Sequence, residues 1–247
     1  MVPAIEKADT ILSYLMHRPQ GATLKEISST LDIPKSTAHR MLLSLANLDY
    51  LEQENQSGCF SLGPKLLALS RAAEQRLNLN RITLPFLEEL ARETEETVKL
   101  SVIRHQKIYV TSTVLSPRRM KITVETGAVF PPHIGAASKL LLASLPSEEI
   151  EEYLSRGLEA FTENSIVDAE GLRRTLTGIR KEWIARDGEE ETVGISGVAA
   201  PVCDSGGSWI AAVSIPYITA LRSEEELIPP LQRCVGAISA RLGYTGS

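Results

Sequence analysis

Apolar residues recur along this chain with two different periods, and the change from one to the other divides it. Up to residue 48 the period is helical. Ile5, Ala8, Ile11, Leu12 and Leu15 mark an amphipathic helix over Ile5–Arg18, ended by Pro19-Gln20-Gly21. Leu24, Ile27 and Leu31 mark a second, and Thr23 and Glu26 at its start have the spacing of a capping box. Asp32-Ile33-Pro34 ends it. The residue before a proline is pushed out of the helical region, and proline itself is tolerated only in the first turn of the next helix. Ala38, Met41, Leu42, Leu45 and Leu48 then mark a third helix from about Lys35 to Leu48. Tyr50-Leu51-Glu52 and Cys59–Leu62 read as short strands around the turn Asn55–Gly58. Three helices and a hairpin predict a winged helix-turn-helix domain over residues 1–64.

Residues 65–79, rich in Ala and Leu, predict a helix lying between two differently composed regions. It is either a linker that helps pair two subunits or a plain surface helix. From residue 80 to 247 the pattern mixes both periods. Arg81–Thr94 reads as a helix with Leu84, Leu87, Leu90 and Ala91 inward and Pro85 in its first turn. Val98–Ile103, Lys107–Val114 and Met120–Glu125 are rich in β-branched residues and read as strands. Gly127–Ser138 predicts a loop entering a helix that reaches Ser144, and Ser147–Leu154 a further helix. Asp168 is placed to cap another over Ala169–Arg186. Val193–Cys203 and Trp209–Pro216 are strands joined by Asp204-Ser205-Gly206-Gly207, a hairpin signal. Ser223 and Glu226 repeat the capping-box spacing ahead of a last helix with Leu227, Leu231, Val235, Ile238 and Leu242 on one side. Strands mixed with helices in antiparallel connection predict an α+β fold.

Composition narrows the class. Hydrophobic residues at 43% and charged ones at 23% describe a soluble globular protein. Glu6, Lys7 and Asp9 interrupt the N-terminus before any apolar run, so no signal peptide is expected. Trp209–Leu221 is shorter than the ~20 residues of a membrane helix. Cys59, Cys203 and Cys234 are odd in number and widely spaced, which suits reduced thiols in the cytoplasm and no metal motif. The net charge is −5, and residues 1–66 hold six basic against seven acidic residues. One copy should therefore grip DNA weakly through counterion release, and useful affinity needs two copies on one duplex.

The candidate chemistry begins on the third helix. Lys35, Ser36, Thr37, His39 and Arg40 cluster outside its apolar stripe, at its N-terminal end. Hydroxyls and free backbone N–H groups there can hold phosphates, and Arg40 or His39 can reach guanine acceptors. Thr23, at the start of the preceding helix, joins these candidates for double-stranded DNA. An ordinary solvated helical face is the alternative. His133, after two prolines, reads as a loop-fixing residue ahead of a catalytic or metal role. Glu189-Glu190-Glu191 reads as a solvated run, Cys203 as a buried small residue, and Trp183 and Trp209 as packing anchors. No HExxH, GxSxG or phosphate-cradling glycine loop occurs, so neither a catalytic residue, a metal ligand nor a cofactor is assigned.

Three stretches together resemble one family. LKEISSTLDIPKSTAHRMLLSL followed by YLEQ and CFSLGPKLL is similar to the N-terminal half of IclR-type transcriptional regulators. GAVFPPHIGAASKLLLASLP resembles their glycine, proline-histidine and lysine stretch, and RDGEEETVGISGVAAPVCDSGGSWIAAVSI their acidic-glycine, Ala-Ala-Pro and hairpin signature. The resemblance implies a winged helix-turn-helix, a linker helix and a GAF-like effector domain, acting as a homodimer or homotetramer on operator DNA. It carries the effector pocket onto Ile122, Ala136, Ala137, Asp187, Gly197, Ser214 and Pro216, with Arg119 on the segment leading to Ile122. Ala136, Ala137 and Gly197 leave room and backbone N–H groups at a helix start, which suits a carboxylate. Three departures stand out. Ser138 occupies a usual glycine position before the lysine, Pro216-Tyr217 replaces a small polar pair, and the wing lacks its common basic residue. Two other classes stay open: an enzyme with an accessory DNA-binding module, its chemistry near His133, Asp187 or Cys203, and a sensor that regulates another protein.

Overall fold

Capping and burial together build the N-terminal unit. A computed structural model describes residues 3–16, 18–54, 58–69 and 79–246, in two compact units, Met1–Leu77 and Asn78–Ser247. The first holds α1 (Pro3–Met16), β1 (Ala22–Thr23), α2 (Leu24–Thr30), α3 (Lys35–Asn47), β2 (Leu51–Gln53) and β3 (Cys59–Leu62). Thr23 closes the expected capping box: its hydroxyl accepts from the Glu26 N–H, and its own N–H donates to the Glu26 carboxylate at 2.7 Å. That carboxyl is held below its ordinary range by the Thr23 backbone and hydroxyl. Ile11, Leu15, Ile27, Ile33, Ala38, Leu42, Leu51 and Phe60 meet in one core.

The helical stripe of α3 is shorter than its periodicity suggests. The helix ends at Asn47, Leu48 is 54% exposed, and Met41 and Leu45 are partly buried. The sheet also has a third strand that two residues were too short to announce, β1, pairing Ala22 with Phe60 in the order β1-β3-β2. Gly21 feeds it at φ +71°, and a Cβ there would lie 2.6 Å from the Phe60 carbonyl oxygen, so only glycine fits. Residues 64–69 are helical (α4). The rest of the expected linker helix, residues 70–78, lies outside the described residues, as do the hairpin tip 55–57 and His17.

The second unit contains α5 (Leu79–Thr94), β4 (Val98–Arg104), β5 (Lys107–Val114), β6 (Val129–Phe130), α6 (Ala136–Ala143), α7 (Ser147–Leu154), α8 (Ala169–Glu182), β7 (Ala185–Asp187), β8 (Ile195–Cys203), β9 (Trp209–Ile218) and α9 (Glu224–Arg241). Its strands form one sheet in the order β6-β5-β4-β9-β8-β7, every neighbouring pair antiparallel. Alternation along each strand sorts side chains between two faces. Val98, Leu100, Val198, Ala200, Val213 and Ile215 pack with α5 and α9 in one core. Ala185, Ala199 and Ala212 face α6, α7 and α8 in another. The second face carries small residues, and that leaves room.

Four readings change here. Met120–Glu125 is not a strand: β5 pairs with β6 on that side, and the segment is held by side chains, Thr97 Oγ1 donating to the Ile122 carbonyl at 2.6 Å. Trp183, left-handed at φ 60°, ends α8 four residues early, and Ala185–Asp187 becomes strand. α5 starts at Leu79, so Pro85 lies inside it, and Leu84 is 41% exposed. Ser223 precedes α9 but makes no side-chain cap; its hydroxyl goes to Glu225.

Candidate functional sites

The outer end of α3 is open. Its N-cap is Pro34, no side chain caps it, and its first turn holds no acid. Thr37 and Ala38 donate back to the Pro34 carbonyl at 2.8 and 2.9 Å. The N–H groups of Lys35 and Ser36 make no backbone hydrogen bond among the described residues. Ala38 and Leu42 anchor the helix in the core, so Lys35, Ser36, His39 and Arg40 are exposed and Thr37 is half-buried. The five predicted positions on α3 therefore lie at one end of one helix. Thr23 sits apart from them in role, since its hydroxyl and N–H are both engaged with Glu26.

In the second unit a cavity of about 430 Å³ lies between the sheet's small-residue face and the start of α6. Ile122, Ala136, Ala137, Asp187, Gly197, Ser214 and Pro216 all line it. The backbone brings them together: Ser214 pairs with Ala199 across β8 and β9, Pro216 with Gly197, and Gly197 with Asp187. Arg119 does not line the cavity. It is exposed on a bend, where strand alternation toward Ile122 does not apply, while its neighbour Arg118 binds Glu95 and Glu96.

Polarity inside the cavity is uneven. Ile108, Phe130, Ile134 and Ile195 supply apolar wall. Ser214 is 3% exposed and its Oγ has no hydrogen-bond partner among the described residues, an uncompensated polar atom in the wall. Burial pushes the Asp187 carboxyl up to about 6, against the lowering effect of the Glu190 N–H that donates to it at 2.9 Å. The start of α6, with Gly135 as N-cap at φ 86°, has no side-chain cap and no acid in its first turn.

The loop 188–191 is bound to that helix start. Glu190 is 4% exposed and Lys139 2% exposed, and they form a buried ion pair. The second Glu190 oxygen accepts from the Gly135 N–H at 3.1 Å. Ser165 Oγ donates to the Glu190 carbonyl at 2.7 Å. The triple glutamate is thus not a solvated run. Its middle member is a structural counter-ion, which only a partner four residues inside α6 reveals. Lys99, a lining residue that sequence reasoning missed, had no motif to announce it; its only signal was a charge inside a β-type run.

His133 is occupied at both ring nitrogens: Tyr153 OH lies 2.6 Å from Nδ1 and the Glu159 carbonyl 2.9 Å from Nε2. A carbonyl can only accept, so Nε2 carries the proton and Nδ1 accepts from the tyrosine. Burial holds that tyrosine protonated, with its hydroxyl pushed up to about 12. Burial also pushes the Cys203 thiol up to about 11, which leaves little thiolate at neutral pH. Trp183 and Trp209 stack edge to face at 5.4 Å. Among the described residues no group of His, Cys, Asp and Glu could hold a metal ion, and no helix is long and apolar enough to cross a membrane.

Comparison with known proteins fits this arrangement. Residues 4–55 match the family described as the IclR helix-turn-helix domain, and residues 71–240 the family described as bacterial transcriptional regulator IclR C-terminal. The chain belongs to the IclR family of transcriptional regulators. It is 31% identical to the glycerol operon regulatory protein of Streptomyces coelicolor, over 98% of this chain and 97% of that one. It is 32% identical to the HTH-type transcriptional regulator KdgR of Escherichia coli, over 90% and 86%. Among solved structures it resembles the repressor BlcR of Agobacterium tumefaciens, at 25% identity and a TM-score of 0.81 over 100% and 99% of the two chains. The chain is a transcriptional regulator with a helix-turn-helix DNA-binding domain and a C-terminal ligand-binding domain.

Proposed function

We propose that the regulator works in the cytoplasm as a homodimer or homotetramer and carries no enzymatic activity. Lys35, Ser36, Thr37, His39 and Arg40 of each α3 contact a half-site, successive half-sites lying ~34 Å apart. Thr23 acts at one remove, by fixing the start of α2. The near-neutral charge of residues 1–66 supports duplication, since a single copy has too few cations to hold DNA by charge alone. Two relatives, one named for an operon and one as a repressor, support a role at the operator of a metabolic gene set.

The effector is a small organic acid that occupies the cavity beside α6. The observation that carries this reading is the buried Ser214 Oγ, unpartnered among the described residues, in the wall of a cavity of about 430 Å³. The volume falls within the roughly 300–1,000 Å³ of small-molecule sites. Binding alters operator affinity to the extent that the acid prefers one DNA-competent arrangement over another. A thermal-shift screen with organic and sugar acids, followed by gel shift with each hit, tests it. An acid that raises the melting temperature and changes operator affinity is the expected result. Tight binding with unchanged operator affinity would refute the switch.

A further inference from the structure

One cation in the cavity has no direct counter-charge among the described residues. Lys99 projects into the space from β4 and makes neither an ion pair nor a hydrogen bond with any of them. Its ammonium lies 5.1 Å from the centre of the Phe130 ring. Burial lowers its affinity for a proton, an effect opposed only at a distance by Glu191 and Asp187. A half-buried ammonium that, among the described residues, meets an aromatic face but no anion is costly, and an anion arriving beside it recovers that cost. Lys99 is also the cross-strand partner of Ser214. The unpaired ammonium and the unpartnered hydroxyl thus start from adjacent positions on one face.

The opposite end of the cavity is of different character. Asp187 lies on β7, three strands from β4 and two residues along from the row of Lys99, Ser214 and Ala199, so its backbone is about 16 Å from that of Lys99 at about 4.8 Å per strand and about 3.3 Å per residue. A Cβ on Gly135 would lie 4.0 Å from Asp187 Oδ2, and the Gly135 N–H already donates to Glu190. The start of α6 is therefore faced by two carboxyl groups of the protein. A third carboxylate placed there would meet like charge. A hydroxyl suits it better, because it can accept from an Ala136 or Ala137 N–H and donate to Asp187.

We propose that Lys99 is the specificity-determining residue of this cavity: with Ser214 it takes the effector's carboxylate, and the α6 start with Asp187 takes a hydroxyl on the same molecule, so the effector is a small hydroxycarboxylate. This rests on the reading of the cavity as the effector site and adds an orientation and a chemical class to it. The apolar residues between the two poles contact the carbon skeleton. A neutral hydroxyl compound of the same shape leaves Lys99 uncompensated and binds weakly.

The test uses the full-length protein, isothermal titration and a fixed panel: lactate, 3-hydroxybutyrate, gluconate and 4-hydroxybutyrate, each beside its neutral amide. Wild-type protein should bind at least one carboxylate and prefer it to its amide by more than about tenfold. Lys99→Met should lose at least about thirtyfold in carboxylate affinity while amide binding stays within a few-fold; Lys99→Arg should restore much of the preference. Asp187→Asn should weaken a hydroxy acid more than the deoxy acid of the same skeleton. Unchanged carboxylate affinity in Lys99→Met, with loss in Ser214→Val, would overturn the role of Lys99 and leave the cavity as the effector site. No response of the wild-type protein to any carboxylate of the panel would overturn both.

Discussion

Two helices in this protein begin in the same way and face opposite surroundings. α3 and α6 each start without a side-chain cap and without an acid in the first turn. Four others are closed differently: Thr23 caps α2, Asp168 caps α8, and glutamates occupy the first turns of α7 and α9. An uncapped start offers N–H donors and a partial positive charge. On α3 that start points outward among Lys35, Ser36 and Arg40, which suits phosphate groups. On α6 it is buried, and Glu190 reaches it from a loop and Asp187 from the end of β7. The same kind of terminus that suits a polyanion outside is, once supplied with carboxyl groups, the one proposed to take a neutral oxygen.

That contrast can be broken at several points. The largest effect should come from Lys139→Met, which leaves Glu190 buried without its counter-ion: a loss of about 3–5 kcal/mol in unfolding free energy, read by urea denaturation. Lys139→Met combined with Glu190→Leu should recover most of it. A double mutant no more stable than Lys139→Met would mean that Glu190 serves chiefly Gly135. Next comes α3. Ser36→Ala with Arg40→Ala should weaken operator binding at least about a hundredfold, since each contact is worth roughly 1–3 kcal/mol and recurs in the second half-site. Thermal melting should stay unchanged; a normal gel shift would remove this helix from the interface.

Asp187 gives a smaller, pH-dependent effect. Its folded pKa, about 6, lies above the ordinary 3.8, so the ionised form is disfavoured in the folded protein. Well below pH 3.8 both states are protonated and nothing is lost. Between pH 4 and 6 the unfolded chain releases a proton that the folded one retains, so this group's share of stability falls as pH rises. Above 6 the penalty is complete, on the order of 1–2 kcal/mol after allowance for partial exposure. Asp187→Asn should therefore be more stable than wild type at pH 7.5 and nearly equal to it at about pH 3. Equal stability at both would show Asp187 to be solvated. The smallest effect belongs to Thr23→Ala, about 1 kcal/mol from the lost cap, with operator affinity reduced only as far as α2 frays.

The winged-helix half was legible because local rules decide it. Capping at Thr23, the break at Pro34 and the 3.6-residue stripe act within a few residues, and they set Lys35, Ser36, His39 and Arg40 off the apolar stripe of one helix. Two of the readings that failed in that half failed through length. A two-residue strand such as β1 has no period, and Leu48 continued a stripe past the end of its helix. In the second half Met120–Glu125 had the composition of a strand but not the partner, because β6 already held the edge of β5. Composition cannot report which edge is free.

The sequence by itself determined the order of elements, the alternation that gives the sheet two faces, and the outward chemistry of α3. It also pointed, through resemblance to a family, to positions as far apart as Ile122 and Pro216 that share one cavity wall. Only the tertiary structure decided that Glu190 is the buried partner of Lys139 while its neighbour Glu191 borders the cavity. It alone decided, too, that Lys99 and Ser214 stand side by side without ion-pair or hydrogen-bond partners among the described residues. The reason is physical: the charge state and value of a side chain depend on desolvation and on groups brought close by folding, and neither quantity is a property of local sequence.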